Sequence, residues 1–161
     1  MQHAIYAAGC FWGVQFYFDQ IPGVVNTTVG YTGGTLENPT YEEVCTHTTG
    51  HAEAVLVEFD GSEVDFEMLT RHFFRMHDPT QLNRQGPDIG DSYRSAIFYV
   101  TDDQKRIAER VRDELQEKSE LPIVTQIELA GPFYQAEAYH QKFAERTGRG
   151  MCHIPYEPIP V

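Results

Sequence analysis

Reactive side-chain types cluster first in Gly9-Cys10-Phe11-Trp12-Gly13. A short apolar run, Ala4 to Ala8, leads into it, and Val14, Phe16, Tyr17, Phe18 and Ile21 follow. The pattern predicts strand, tight turn, helix, with Cys10 at or just before a helix N-terminus. Backbone N–H groups there lack partners, and the dipole favours an anion, so a thiolate is expected to be stabilised. That chemistry is nucleophilic or redox. A free cysteine more often serves as a small buried hydrophobe. The flanking glycines and the chain's single tryptophan favour chemistry here. Phe11 and Trp12 could wall an apolar pocket beside the sulfur.

A thiolate needs neighbours that manage protons. Glu53 enters an apolar stretch through Gly50-His51-Ala52-Glu53-Ala54. Burial would raise its pKa and make it an acid usable near neutrality. On pattern alone, a solvent-facing glutamate on a half-exposed strand is the favoured reading. Tyr41 and Tyr93 are hydroxyl donors on or beside loops, and Asp88 has the setting of a turn former. Cys152 lies in the glycine-bearing Gly148-Arg149-Gly150-Met151-Cys152, where a mobile segment could carry a second thiol to the first. The alternative there is an incidental surface cysteine. Cys45 is flanked by Glu42 and Glu43, which disfavour a thiolate, and reads as structural. The histidines near Cys45 and Cys152 lack the paired spacing of structural zinc, so no metal is expected.

Gly-Cys-Phe-Trp-Gly resembles the signature of the A-type methionine sulfoxide reductases (peptide-methionine (S)-S-oxide reductases). Gly50-His51-Ala52-Glu53-Ala54, Asn38-Pro39-Thr40-Tyr41, Gln85 to Gly90 and Ser92-Tyr93-Arg94-Ser95 follow in the family's order. The resemblance runs from about Ile5 to His140 and fades after it. It implies Cys10 as nucleophile, Glu53 as proton donor, and Tyr41 and Tyr93 as hydrogen-bond donors to a sulfoxide oxygen. Phe11 and Trp12 would hold the methyl group, Asp88 would sit in the polar rim, and Cys152 would resolve a sulfenic acid on Cys10 into a disulfide. The substrate implied is the S epimer of methionine sulfoxide, free or in oxidised proteins. Thioredoxin is the implied reductant, and no cofactor is needed. The segment after Cys152, His153-Ile154-Pro155-Tyr156, departs from the glycine-rich tail expected of the family.

Two other readings stay open. One is a cysteine hydrolase or acyltransferase with a histidine base, although nothing places a particular histidine beside Cys10. The other is a thiol-based oxidant sensor with no enzymatic activity.

The 161 residues suit one domain with one core, spanning 1–161, with a coil-rich tail over 147–161. A net charge of −12 opposes a grip on nucleic acid phosphates or an anionic membrane surface. Three cysteines are too few for a disulfide scaffold and fit a reducing compartment. Met1-Gln2-His3 lacks the basic residues of a signal peptide, so a cytoplasmic location is the expectation, as is a monomer.

The elements that must position these residues read as follows. Strands are expected at Val24–Tyr31, Ala52–Phe59, Tyr93–Val100 and Ile123–Leu129. Helices are expected at Asp65–His77, Asp102 to about Lys118, and Pro132 to about Arg146, and Tyr41–Cys45 could form a short helical turn. Asp78 to Asp91 reads as a long functional loop, and the tail as an irregular wrap over the surface. This order predicts an α+β fold. The resemblance implies the same, a two-layer ferredoxin-like plait with a mixed sheet, added helices and a coiled C-terminal region.

Overall fold

The computed structural model describes residues 1–161. Eight strands form: β1 (Gln2–Ala8), β2 (Val24–Thr32), β3 (Ala52–Phe59), β4 (Arg84–Gln85), β5 (Asp88–Ile89), β6 (Ser95–Tyr99), β7 (Gln126–Leu129) and β8 (Phe133–Gln135). Five helices accompany them: α1 (Phe11–Asp19), α2 (Tyr41–Cys45), α3 (Phe66–Met76), α4 (Asp102–Gln116) and α5 (Phe143–Thr147). Six strands make one mixed sheet in the order β7-β6-β1-β3-β2-β8, and β4 and β5 form a separate small hairpin. Only β6 and β7 pair in parallel, across the α4 crossover. The fold is therefore α+β.

Alternation along the strands sorts the two faces of the sheet. Tyr6, Ala8, Val55, Val57 and Ile97 share one buried cluster with α1, α3 and α4. Ile5, Ala7, Ala52, Ala54 and Phe98 form a smaller cluster on the other face. Tyr6 anchors the larger cluster. Its ring stacks on Phe18, Phe66 and Phe73 at 5.2, 5.9 and 5.2 Å, and its hydroxyl meets Thr70 Oγ1 at 2.9 Å. Side-chain caps start three of the helices: Thr40, Asp65 and Thr101 each accept a backbone N–H three residues on.

Three expectations need correction. Pro132 opens no long helix. The chain instead forms β8, a 3-10 turn (Ala138–His140) and the short α5. β8 pairs with β2, and the Phe133 ring fills the space that a side chain on Gly30 would need. Tyr93 lies in a 3-10 turn ahead of β6 rather than in the strand. The C-terminal segment does more than wrap the surface. Met151 and Ile154 are buried in the main core, and Ile154 occupies the space beside Gly13 of α1.

Candidate active site

β1 lies inside the sheet, paired with β3 and β6. Its ladder with β3 ends at the Tyr6–Val55 pair, while its ladder with β6 runs on to Ala8–Ser95. Just past that divergence, Gly9 turns the chain at φ +93°, and Cys10 becomes the N-cap of α1. The first two backbone donors of α1 are both used by the site. Phe11 N–H donates to Glu53 Oε1 at 3.2 Å, and Trp12 N–H donates to the Cys10 sulfur.

Glu53 points to the helix-covered face of β3, opposite Tyr31 in the β2–β3 register. It is 2% exposed. Burial pushes its carboxyl up to about 8, against the Phe11 N–H, which favours the anion; nearby Asp88 raises it further. At neutral pH Glu53 is largely protonated. The carboxyl is thus buried and protonated rather than solvent-facing.

Cys10 itself overturns an expectation. Its thiol is pushed well up, first by the hydrogen bond with Cys152, then by burial and by Glu53. The Trp12 N–H at the helix start opposes these and loses. Cys152 moves the other way, because the Cys10 S–H donates to its more exposed sulfur. The two thiols are thus neighbours that perturb one another, both free of a disulfide.

The segment that carries Cys152 is anchored, contrary to the mobile strand of tail expected. Ile154 N–H closes a turn on Met151 O at 2.9 Å. Cys152 sits within that turn at φ +53°, a left-handed conformation that a non-glycine residue adopts at a cost. His153 Nε2 donates to Ala8 O at 2.8 Å. Beyond it, Gln20 donates to Tyr156 O at 2.8 Å, and Ile159 N–H donates to the Tyr17 hydroxyl at 2.8 Å.

The remaining predicted residues gather round. Tyr41 and Tyr93 are half-buried, and both hydroxyls are pushed up by burial and then by Glu53. Asp88 stands beside Cys152, and its Oδ2 is buried with no hydrogen-bond partner. Phe11 and Trp12 divide their work. Phe11 is fully buried against Tyr31 and His140, at 5.7 and 5.3 Å between ring centres. Trp12 is the more exposed wall, stacked on Phe143 at 4.1 Å.

Sequence reasoning passed over Glu137 and His140 here and gave Cys45 no part in the site. Glu137 accepts the Tyr31 hydroxyl at 2.8 Å and the Tyr41 backbone N–H at 2.9 Å, so one carboxylate ties β2 to the start of α2. His140 Nδ1 accepts the Trp12 indole N–H at 2.9 Å and fixes that ring. Both fell inside the supposed long helix; the aromatic pair Phe133-Tyr134 just after Pro132 was the available strand signal. Cys45, read as structural, stands close enough to the Tyr41 hydroxyl to raise its pKa and so borders the site. No group of three or more histidine, cysteine or acidic side chains is placed to hold a metal ion.

A thiol and a protonated carboxyl share one helix start, with two tyrosines and a second thiol around them. That arrangement suits a thiol-dependent oxidoreductase. The chain belongs to the peptide methionine sulfoxide reductase family, whose model matches residues 2–160, and it is an enzyme that reduces methionine sulfoxide. The peptide methionine sulfoxide reductase MsrA of Methanothermobacter thermautotrophicus is 53% identical over 155 residues, covering 95% of this chain and 92% of the relative. Among solved structures, Mxr1 from Saccharomyces cerevisiae in reduced form is similar with a TM-score of 0.88, at 34% identity. That match covers 92% of this chain and 87% of Mxr1. A structure of Mxr1 in complex with Trx2 matches with a TM-score of 0.63 at 26% identity, over 89% and 84% of the two chains. No helix is long and apolar enough to cross a membrane.

Proposed function

We propose that the enzyme reduces the S epimer of methionine sulfoxide, free or in oxidised proteins, through a sulfenic acid on Cys10 and then a Cys10–Cys152 disulfide. The observation that carries this reading is the shared helix start. Phe11 N–H binds Glu53, Trp12 N–H faces Cys10, and the Cys152 thiol lies close enough to Cys10 to perturb it.

The methyl of the substrate rests against Trp12, with Phe11 behind it. The sulfoxide oxygen meets Glu53, Tyr41 and Tyr93. Glu53 gives its proton to the oxygen, Cys10 attacks, and the Cys10 proton passes to the Glu53 carboxylate. The oxygen ends on Cys10; its sulfur is oxidised by two electrons, the substrate sulfur is reduced by two, and methionine departs. The reactive form holds both protons. Cys152 then attacks the Cys10 sulfenic acid; a disulfide and water result.

An external dithiol of the thioredoxin type regenerates the pair by exchange. It attacks Cys152, which is exposed, while Cys10 at 7% exposure is the leaving group. The complex of the similar yeast protein with Trx2 supports such a partner. Free thiols fit a reducing compartment such as the cytoplasm, and we read residues 1–161 as one catalytic unit without a cofactor. The order β6-β1-β3-β2, with α1 and α3 packed on the same core, supports a ferredoxin-like plait as its frame.

The test uses reduced protein without added reductant and each resolved epimer of a methionine sulfoxide peptide. One methionine per protein from the S epimer, with a Cys10–Cys152 linkage by mass spectrometry, is expected. Equal turnover of both epimers, or none, would overturn the proposal.

A further inference from the structure

Resting on the reading above, we infer that His153 is a positioning residue for the second step: it latches the turn bearing Cys152 onto the end of β1, so that the resolving thiol is held over Cys10.

The latch is one hydrogen bond between two distant parts of the chain. His153 Nε2 donates to Ala8 O at 2.8 Å. Ala8 is the last residue of β1, two positions before Cys10, and its backbone is fixed in the sheet by pairing with Ser95. Cys152 is the residue just before the latch. The bond therefore references one sulfur to the strand that carries the other.

Packing completes the seat. The imidazole lies in the space left by the missing side chain of Gly9, where a Cβ would stand 2.6 Å from His153 Cε1 and 2.9 Å from Gln85 Cβ. Gln85 is buried and held by Asp78, to whose carbonyl it donates and from whose N–H it accepts. Gly9 thus has a second task besides turning the chain. It admits the ring that fixes the resolving segment.

Only one ring nitrogen does the latching. Nε2 donates, so it carries the proton; Nδ1 is buried with no partner. Any side chain that presents an N–H at the reach of Nε2 should serve. Glutamine does so, and alanine does not.

The step served is S–S bond formation. Cys152 sulfur bonds to Cys10 sulfur, the S–O bond of the sulfenic acid breaks, and the thiol proton leaves with the hydroxyl as water. Its rate depends on how closely the two sulfurs are held. Loss of placement by about an ångström costs about a hundredfold in such intramolecular reactions. The left-handed backbone at Cys152 makes the placement vulnerable, since the turn gains by relaxing once an anchor is gone.

The experiment mixes wild type, His153→Ala and His153→Gln, all reduced, with one equivalent of the S epimer of a methionine sulfoxide peptide. Released methionine, sulfenic acid trapped by dimedone and loss of free thiols are followed together. Wild type should give one methionine and close the disulfide with little trapped sulfenic acid. His153→Ala should release the same single methionine but hold its sulfenic acid about ten- to a hundredfold longer. His153→Gln should close the disulfide within a few-fold of wild type. Closure at the wild-type rate in His153→Ala overturns the latch. So does equally slow closure in both variants, which would assign the effect to ring packing alone. If wild type releases no methionine, the reductase reading fails, and the latch fails with it.

Discussion

Replacing Glu53 by glutamine isolates the proton from the geometry. The amide keeps an oxygen for the Phe11 N–H, at 3.2 Å in the native protein, so the helix start stays as built. What disappears is an acid that burial has carried from the ordinary 4.5 to about 8. Two consequences can be sized. A positioned general acid contributes about a hundredfold to ten-thousandfold, and single-turnover methionine release at pH 7 should slow by a factor in that range. The wild-type rate should also fall as pH rises through about 8, where the carboxyl loses its proton, and the variant should lack that fall. Stability responds in the same window. Between about 4.5 and 8 the folded protein holds a proton on Glu53 that the unfolded chain has released, so stability drops as pH rises. At about 1.4 kcal/mol per pKa unit the total is about 5 kcal/mol. Urea unfolding from pH 5 to 9 should show that slope in wild type and not in Glu53→Gln, which becomes the more stable protein at pH 9. A variant with wild-type turnover at pH 7 and the same high-pH decline would refute the reasoning.

Other substitutions probe the surroundings. Cys152→Ser should still yield one methionine per protein and stop at a Cys10 sulfenic acid, read by dimedone labelling and mass spectrometry. Gly13→Ala would place a Cβ 2.7 Å from Met151 O and 3.0 Å from Ile154. The tail should lift, and disulfide closure should slow at least tenfold by thiol counting, although alanine is the better helix former. Glu137→Ala removes the acceptor shared by Tyr31 and Tyr41; KM for the sulfoxide should rise several-fold, with about 1–2 kcal/mol lost in urea unfolding. Tyr6→Phe leaves the buried Thr70 hydroxyl without its partner and should cost about 1–2 kcal/mol with single-turnover chemistry unchanged.

Local pattern was a good guide where local forces decide. β3 and α2 form at the boundaries the sequence indicates, and α3 and α4 end within two residues of expectation. The pattern misled over 132–146, where Phe133, Ala136, Tyr139 and Phe143 fit a helical spacing. That segment is governed by a partner a hundred residues away, because Gly30 leaves a seat for Phe133 and β2 offers an open ladder. The site divides along the same line. Cys10 stands out because turn glycines and a helix start are local signals, whereas Glu53 stands out only through the Gly50-His51-Ala52-Glu53-Ala54 motif, since its burial depends on the sheet and helix packed around it. The protonation of Cys10 was not legible, since it depends on Cys152 arriving from the far end of the chain. His153, Glu137 and His140 act by similarly long-range contacts.

The meeting of Cys10 with Cys152 has a topological side. The two residues stand near opposite ends of the polypeptide, so the proposed Cys10–Cys152 disulfide would close a ring of about 140 residues. The chain-entropy model assigns such a ring about 5 kcal/mol of stabilisation, drawn from the freedom the unfolded chain loses. Every catalytic cycle would then pass through two proteins of unequal robustness, an open reduced chain and a nearly cyclic oxidised one. The enzyme would resist heat and proteolysis best while it waits for its reductant, the state that accumulates when oxidants are abundant.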